Sequence, residues 1–262
     1  MATDEIAWYH TIDLGSGRLT PGFYDCRPIV ERVPWPASLR GRRCLDVGTF
    51  DGFWAFEMER RGASEVIALD LEDPTRMDWP SDVRETGPAL IREVRSSRGP
   101  GFETARAALG SSVRRIDRSV YELDGAELGS FDVVFVGALL LHLRDPALAL
   151  ERLHTVTSGD LIVVEPIDPA LQTLAPRVPA ARFRGMGLEM QWWVLNAAGL
   201  ARILRSAGFE VLRRTRPFVT PFGTSPWVPG KGSRRRRMEN LLVTGSAADG
   251  APTVGFRVRP SS

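Results

Sequence analysis

Apolar positions along the chain fall into short runs, and helical patterns separate them. Cys44, Leu45 and Val47 form one run, broken by Asp46, and the turn Gly48-Thr49-Phe50-Asp51-Gly52 follows. Phe53, Phe56, Glu57 and Arg60 then recur at helical spacing, which predicts a helix over Phe53–Arg61. A second strand is expected over Glu65–Leu69, ending in Asp70, and a short one over Val113–Ile116. Phe131–Val136 is continuously apolar after Asp132, the pattern of a central parallel strand buried on both faces. Pro146–Val156 reads as an amphipathic helix stopped by Gly159, and Leu161–Val164 as the next strand, ending at Glu165. Asn196 is placed to cap a helix over Ala197–Ala207, with Gly208 at its end and a strand over Phe209–Arg213. A last strand is expected over Asn240–Thr244. Alternation of this kind predicts an α/β protein with a doubly wound parallel sheet.

The remaining segments divide the chain. Residues 1–42 form an arm rich in aromatics, glycine and proline, expected to strap across a core domain of residues 43–246 and to cover its site. Residues 166–192 make a long connection, and residues 217–233 a loop dense in proline and glycine. From Ala247 to residue 262 a polar, mobile tail is expected.

Strand, glycine turn and helix together aim helix N–H groups and a strand end at a ligand. Asp70 ends the second strand about twenty residues after the turn, where a carboxylate accepts hydrogen bonds from ribose hydroxyls. A dinucleotide needs a glycine where Phe50 stands, because its pyrophosphate lies against the helix N-terminus. Asp46, before the first glycine, suits a cationic ligand. S-adenosylmethionine (SAM), with an α-amino group, a sulfonium and no phosphate, meets both conditions.

Composition changes the picture little. The 262 residues are 43% hydrophobic, enough for one sizeable α/β domain, and the net charge of +2 demands no nucleic-acid partner. Two cysteines, Cys26 and Cys44, make no disulfide framework. The start MATDEIAWYH has no apolar core, and no apolar run is long enough to span a bilayer. A cytoplasmic protein is expected. No Cys/His cluster stands at zinc spacing, so no metal is expected.

The motifs CLDVGTFDG, ALDLED, FDVVFVGALLLHLRDP and NAAGLARILRSAGFEV, over roughly residues 40–215, resemble class I SAM-dependent methyltransferases. The resemblance implies a seven-stranded Rossmann-like sheet of order 3-2-1-4-5-7-6 with its last strand antiparallel. Within that superfamily the chain is similar to the bacterial tRNA wobble-uridine carboxymethyltransferase group, through the aromatic arm with HTIDLGSG and the step Ala138–His142. That group has tyrosine and arginine around the histidine, whereas this chain has Leu141 and Leu143. Ordinary SAM, rather than its carboxylated form, is therefore the expected cofactor.

Asp46 and Gly48 are expected at the methionine end of SAM, Gly52 at the turn, Asp70 at the ribose, and Ser119 and Val120 at the adenine. Thr49, Phe50, Leu71 and Gly137 complete the expected cofactor set. Methyl transfer needs a base only where the nucleophile must lose a proton. His142, Glu165 and His10 are the candidates, with His154 read as a surface residue. Tyr9, Trp192 and Trp193 are expected to wall an acceptor pocket, with the alternative that one of the two tryptophans belongs to the core. Arg234–Arg237 could bind phosphate, although such runs are usually solvated loops. Three readings stay open: a methyltransferase for a small molecule, a tRNA-modifying enzyme, and a non-catalytic SAM-fold binding protein. The oligomeric state is not predicted.

Overall fold

The computed structural model describes residues 6–86, 99–186, 190–226, 228 and 249–261. Among them, eight strands make one sheet: β1 (Arg43–Val47), β2 (Glu65–Asp70), β3 (Arg114–Asp117), β4 (Phe131–Gly137), β5 (Thr157–Pro166), β8 (Phe209–Arg214), β9 (Phe218–Pro221) and β10 (Gly250–Pro260). The order is β3-β2-β1-β4-β5-β10-β8, with β9 paired to the first half of β10. Strands β1 to β5 pair in parallel, and β10 runs antiparallel to its three neighbours. Counted along the main path this is the expected 3-2-1-4-5-7-6. A separate antiparallel pair, β6 (Ala181–Phe183) with β7 (Trp193–Leu195), crosses the long connection.

Alternate residues of each central strand feed opposite faces. Leu45, Ile67, Val134 and Val136 join the cluster that includes Leu150 and Leu153 of α5 (Pro146–Val156) and Leu200 and Leu204 of α7 (Ala197–Ser206). Cys44, Val66, Val133 and Phe135 join the cluster on the other face, with Trp54 and Met58 of α1 (Phe53–Arg60) and Phe102 of α3 (Pro100–Leu109). Two short helices, α2 (Ser81–Thr86) and α4 (Gly125–Leu128), lie in the connections that flank β3, and α6 (Pro169–Leu174) follows β5. Trp8, Ile12, Ile29 and Trp35 of the arm belong to the second cluster, so the arm completes that face of the core. Trp35 stacks on Phe135, with centroids 5.6 Å apart, and donates its indole N–H to the Val30 carbonyl at 2.9 Å.

The structure corrects several expectations. The stretch expected as a polar tail is β10, whose Val254, Phe256 and Val258 are fully buried between β5 and β8. The Pro/Gly loop after residue 216 contains β9. Gly159 does not stop α5. It lies inside β5, where a side chain would meet the Asp132 carbonyl oxygen at 2.3 Å. His154 is half-buried, edge-on to Phe209 at 5.1 Å. The strand expected over Asn240–Thr244 and the run Arg234–Arg237 lie outside the described residues. No helix among the described residues is long and apolar enough to cross a membrane.

Phe256→Ala should lower stability by about 3–5 kcal/mol, the usual loss for a buried phenylalanine. Urea unfolding of both proteins checks this. A midpoint unchanged from wild type would exclude β10 from the core.

Candidate active site

A cavity of about 320 Å³ opens at the C-terminal ends of β1, β2 and β4. An open α/β sheet leaves its binding crevice there, where the strand order reverses. The glycine turn forms one side. Gly48 and Thr49 both donate their N–H groups to the Leu69 carbonyl, at 2.8 and 3.1 Å, which pins the turn to β2. Phe50 then takes a left-handed backbone, φ +49°, uncommon for a residue with a Cβ. That conformation brings its N–H to the Asp70 carboxylate at 2.7 Å. The other Asp70 oxygen accepts from Leu71 N–H at 2.8 Å. Two backbone donors thus orient the carboxylate on the cavity wall.

Leu69, Leu71, Met77 and Val120 give this side an apolar surface, with Ser119 at its edge. Ser119 accepts from Tyr121 N–H and caps a short 3-10 turn. Asp78 accepts from the Tyr121 hydroxyl at 2.6 Å and from Arg144 N–H at 2.8 Å. Gly137, Ala138 and Leu139 continue the wall after β4, and Ala138 is again left-handed, φ +48°. Non-glycine residues held at positive φ gather at functional sites, because the surrounding structure must offset their strain.

Tyr9 and His10 of the arm close the near side. Asp51, in the glycine turn, holds them there. Its buried carboxylate accepts from Tyr9 N–H at 2.9 Å, from His10 N–H at 2.7 Å, and from the His10 ring at Nδ1, 2.5 Å away. His142 and Met190 stand on the far side, with His142 Nδ1 donating to the Met190 carbonyl at 2.6 Å.

Of the expected cofactor residues, Gly48, Phe50, Asp70, Leu71, Ser119, Val120 and Gly137 line the cavity. Asp46, Thr49 and Gly52 lie behind the wall. Asp46 accepts the Thr49 hydroxyl at 2.7 Å and stiffens the turn from within. Burial pushes Asp46 up to about 7, against the pull of that hydrogen bond. Gly52 has φ +92°, and a Cβ there would meet the Phe56 ring at 2.4 Å.

Among the expected bases, His10 and His142 reach the cavity and Glu165 does not. Glu165 is buried and accepts from Leu139 and Leu140 N–H, at 2.8 and 3.0 Å, so it holds the turn after β4. Trp192 and Trp193 also stay outside, because their indole N–H groups bind the Asp78 and Arg144 carbonyls. Trp192 packs with Trp79 and Met186 in a satellite core beneath Met77 and Met190. Asp51, Met77, Asp78, Tyr121 and Met190 were not expected at the site. Asp51 carries a sequence signal only as the acid between Phe50 and the second turn glycine.

An open sheet of this order, with a carboxylate closing β2 beside a glycine turn, defines the class I methyltransferase fold. The methyltransferase-domain family model matches residues 21–214, and the chain belongs to that family of SAM-dependent enzymes. A ubiquinone biosynthesis O-methyltransferase of Neisseria meningitidis is 28% identical over 199 residues, 72% of this chain and 72% of its own. A tRNA U34 carboxymethyltransferase of Alteromonas mediterranea is 27% identical over 69% of this chain and 48% of its own length. The chain thus spans about half of that relative. The N-terminal domain of EvdMO1, solved with S-adenosylhomocysteine bound, is 17% identical, with a TM-score of 0.54 over 97% of this chain and 91% of that one. The 1,6-didemethyltoxoflavin-N1-methyltransferase of Burkholderia thailandensis is also 17% identical, with a TM-score of 0.50 over 85% of this chain and 72% of that one. These two show the shared fold.

Burial raises Glu165 from 4.5 to about 7, against the pull of its backbone donors. The folded state therefore binds this proton more tightly than the unfolded chain does. The stability that follows is complete below about pH 4.5 and is lost as pH rises through 7. Glu165→Gln, which cannot ionise and keeps an acceptor oxygen, should show a flatter stability profile between pH 4.5 and 7. Urea midpoints across that range compare the two. Asp46 is present in both proteins, so parallel profiles would mean that Glu165 does not carry the shift.

Proposed function

We propose that the chain methylates a small-molecule acceptor, at oxygen, nitrogen or an activated carbon, in specialised metabolism in the cytoplasm. The observation that carries the reading is the cavity itself: apolar on one side, closed by the arm, with the oriented Asp70 carboxylate on its wall. These features fit SAM, whose ribose diol, adenine and cationic methionine end need a carboxylate, an apolar slot and no phosphate cradle. Asp70 would take the ribose hydroxyls, and Leu71, Ser119 and Val120 the adenine. Gly48, Phe50 and Gly137 would flank the methionine end. Bound there, SAM supplies an electrophilic methyl group on its sulfonium. The protein's part is to align the acceptor and keep water out, the main source of rate in a displacement of this kind. His10 or His142 would take a proton from an acceptor that must lose one. Arg76 and Arg118 at the cavity edge are paired with Asp117, Glu122 and Glu127, which does not favour a phosphate-bearing acceptor. The two cysteines are buried and unpaired, in keeping with a reducing compartment.

Mass spectrometry of candidate metabolites after incubation with isotopically labelled SAM tests the acceptor. A mass shift identifies it, and a shift seen only in tRNA would overturn the reading. The relatives that act on tRNA favour a second reading, a tRNA-modifying enzyme. It predicts tRNA binding that weakens steeply between about 50 and 200 mM salt, as counterion release requires. Filter binding across that range decides it, and absence of binding at low salt rejects it.

Asp70→Ala should weaken SAM binding at least tenfold, since losing charged hydrogen bonds of roughly 1.5–3 kcal/mol each exceeds one decade of affinity. Asp70→Asn should fall between alanine and wild type. His142→Ala should bind SAM as wild type does and lose turnover only if His142 works on the acceptor. Calorimetric titration with methyl-transfer rates separates the roles. Wild-type affinity in Asp70→Ala would remove Asp70 from the ribose.

A further inference from the structure

A second, smaller chamber lies on the other side of Tyr9 and His10. Its volume is about 30 Å³, and it shares Tyr9, His10, Gly137 and Ala138 with the large cavity, so the two meet along that wall. Trp54, Val164, Cys26, Thr220 and Thr253 line its depth. No lysine, arginine, aspartate or glutamate lines it among the described residues. Burial holds the Tyr9 and Tyr24 hydroxyls and the Cys26 thiol well above their ordinary values, so all three stay neutral.

The hydrogens in this chamber can be assigned. Thr253 Oγ1 donates its one proton to the Ala251 carbonyl at 2.9 Å. The Thr220–Thr253 hydroxyl contact, 2.9 Å, must then use the proton of Thr220. Thr220 Oγ1 is left with lone pairs only. His10 also lines the chamber, with its Nδ1 held by Asp51. Thr220 thus offers an acceptor, and the neutral Tyr9 and Tyr24 hydroxyls and Cys26 thiol can donate. Such a lining suits a group that both gives and accepts a hydrogen, because an unpaired buried polar group is costly. A water needs roughly 10–15 Å³ of such space, so the chamber takes a group of about two or three non-hydrogen atoms.

We infer that the small chamber is the acceptor subsite, and that it takes an uncharged protic end, an O–H or N–H on a short stem, with Thr220 as its hydrogen-bond acceptor. This rests on the methyltransferase reading of the adjoining cavity. It narrows the substrate class: a phosphorylated end would find no cation, and a whole pyrimidine ring would not enter.

The test uses crystals of the full chain with S-adenosylhomocysteine, soaked separately in ethanol and in acetonitrile. Both probes have three non-hydrogen atoms, and only ethanol donates a hydrogen bond. Ethanol should occupy the chamber with its hydroxyl on Thr220 Oγ1, and acetonitrile should occupy it clearly less. Thr220→Ser should retain ethanol, and Thr220→Val, similar in shape but without the acceptor, should lose it. Equal occupancy by acetonitrile, an empty chamber in both soaks, or ethanol unchanged in Thr220→Val would overturn the assignment. If Thr220→Val fails to fold, the contrast between the two probes in the wild type still decides. Calorimetric titration with S-adenosylhomocysteine stands apart: failure there removes the cofactor reading, whereas normal binding with an empty chamber removes only the subsite.

Discussion

The carboxylate of Asp51 is the interaction on which the site depends. A buried carboxylate is tolerated only with its oxygens well supplied by donors. Here the donors are two consecutive backbone N–H groups and a ring nitrogen, all from a segment some forty residues earlier. One side chain of the glycine turn therefore fixes backbone direction at Tyr9 and ring orientation at His10. The turn is in turn held by Leu69, Asp70 and the inner Asp46–Thr49 bond. Turn, second strand and arm form one connected polar frame, and the aromatic packing of Trp8 and Trp35 anchors the arm to the sheet behind it.

This frame explains why neighbouring acids differ in role. Asp46, Asp51 and Asp70 are all nearly inaccessible, yet only Asp70 faces the large cavity. Asp46 looks inward to Thr49, and Asp51 outward to the arm. Glu165 supports the opposite wall in the same manner, giving the turn after β4 the acceptor that its N–H groups lack. Backbone geometry around the site is thus held by buried carboxylates, and the surfaces offered to ligand are mostly apolar side chains.

Much of the architecture was legible in the pattern of residues. The run at 131–136 and the turn at 48–52 have few alternative readings, because a continuous apolar run and a paired-glycine turn both restrict the backbone strongly. β10 was obscured, since Gly250, Pro252 and Pro260 interrupt it and Arg257 and Arg259 lend it polarity. Its signal was the alternation of Val254, Phe256 and Val258. The position of a wall residue was legible where it follows from a strand end, as for Asp70 and Gly137, which line the cavity. It was not legible where a role depends on distant partners. Nothing local tells that Asp51 meets His10, or that the indoles of Trp192 and Trp193 turn toward carbonyls at 78 and 144. An acid before a glycine turn reads alike whether it faces a ligand or, like Asp46, a threonine.

The place of β10 in the sheet bears on how the protein is made. Val254 pairs with Glu165, about ninety residues earlier. At a synthesis rate of roughly 5–20 residues per second, β5 would wait on the order of 5–20 s before that partner emerges. During this interval Leu161–Val164 presents an open apolar edge, the kind of surface on which nascent chains pair wrongly. Occupation of that edge by β8 or β9 out of register would compete with the correct insertion.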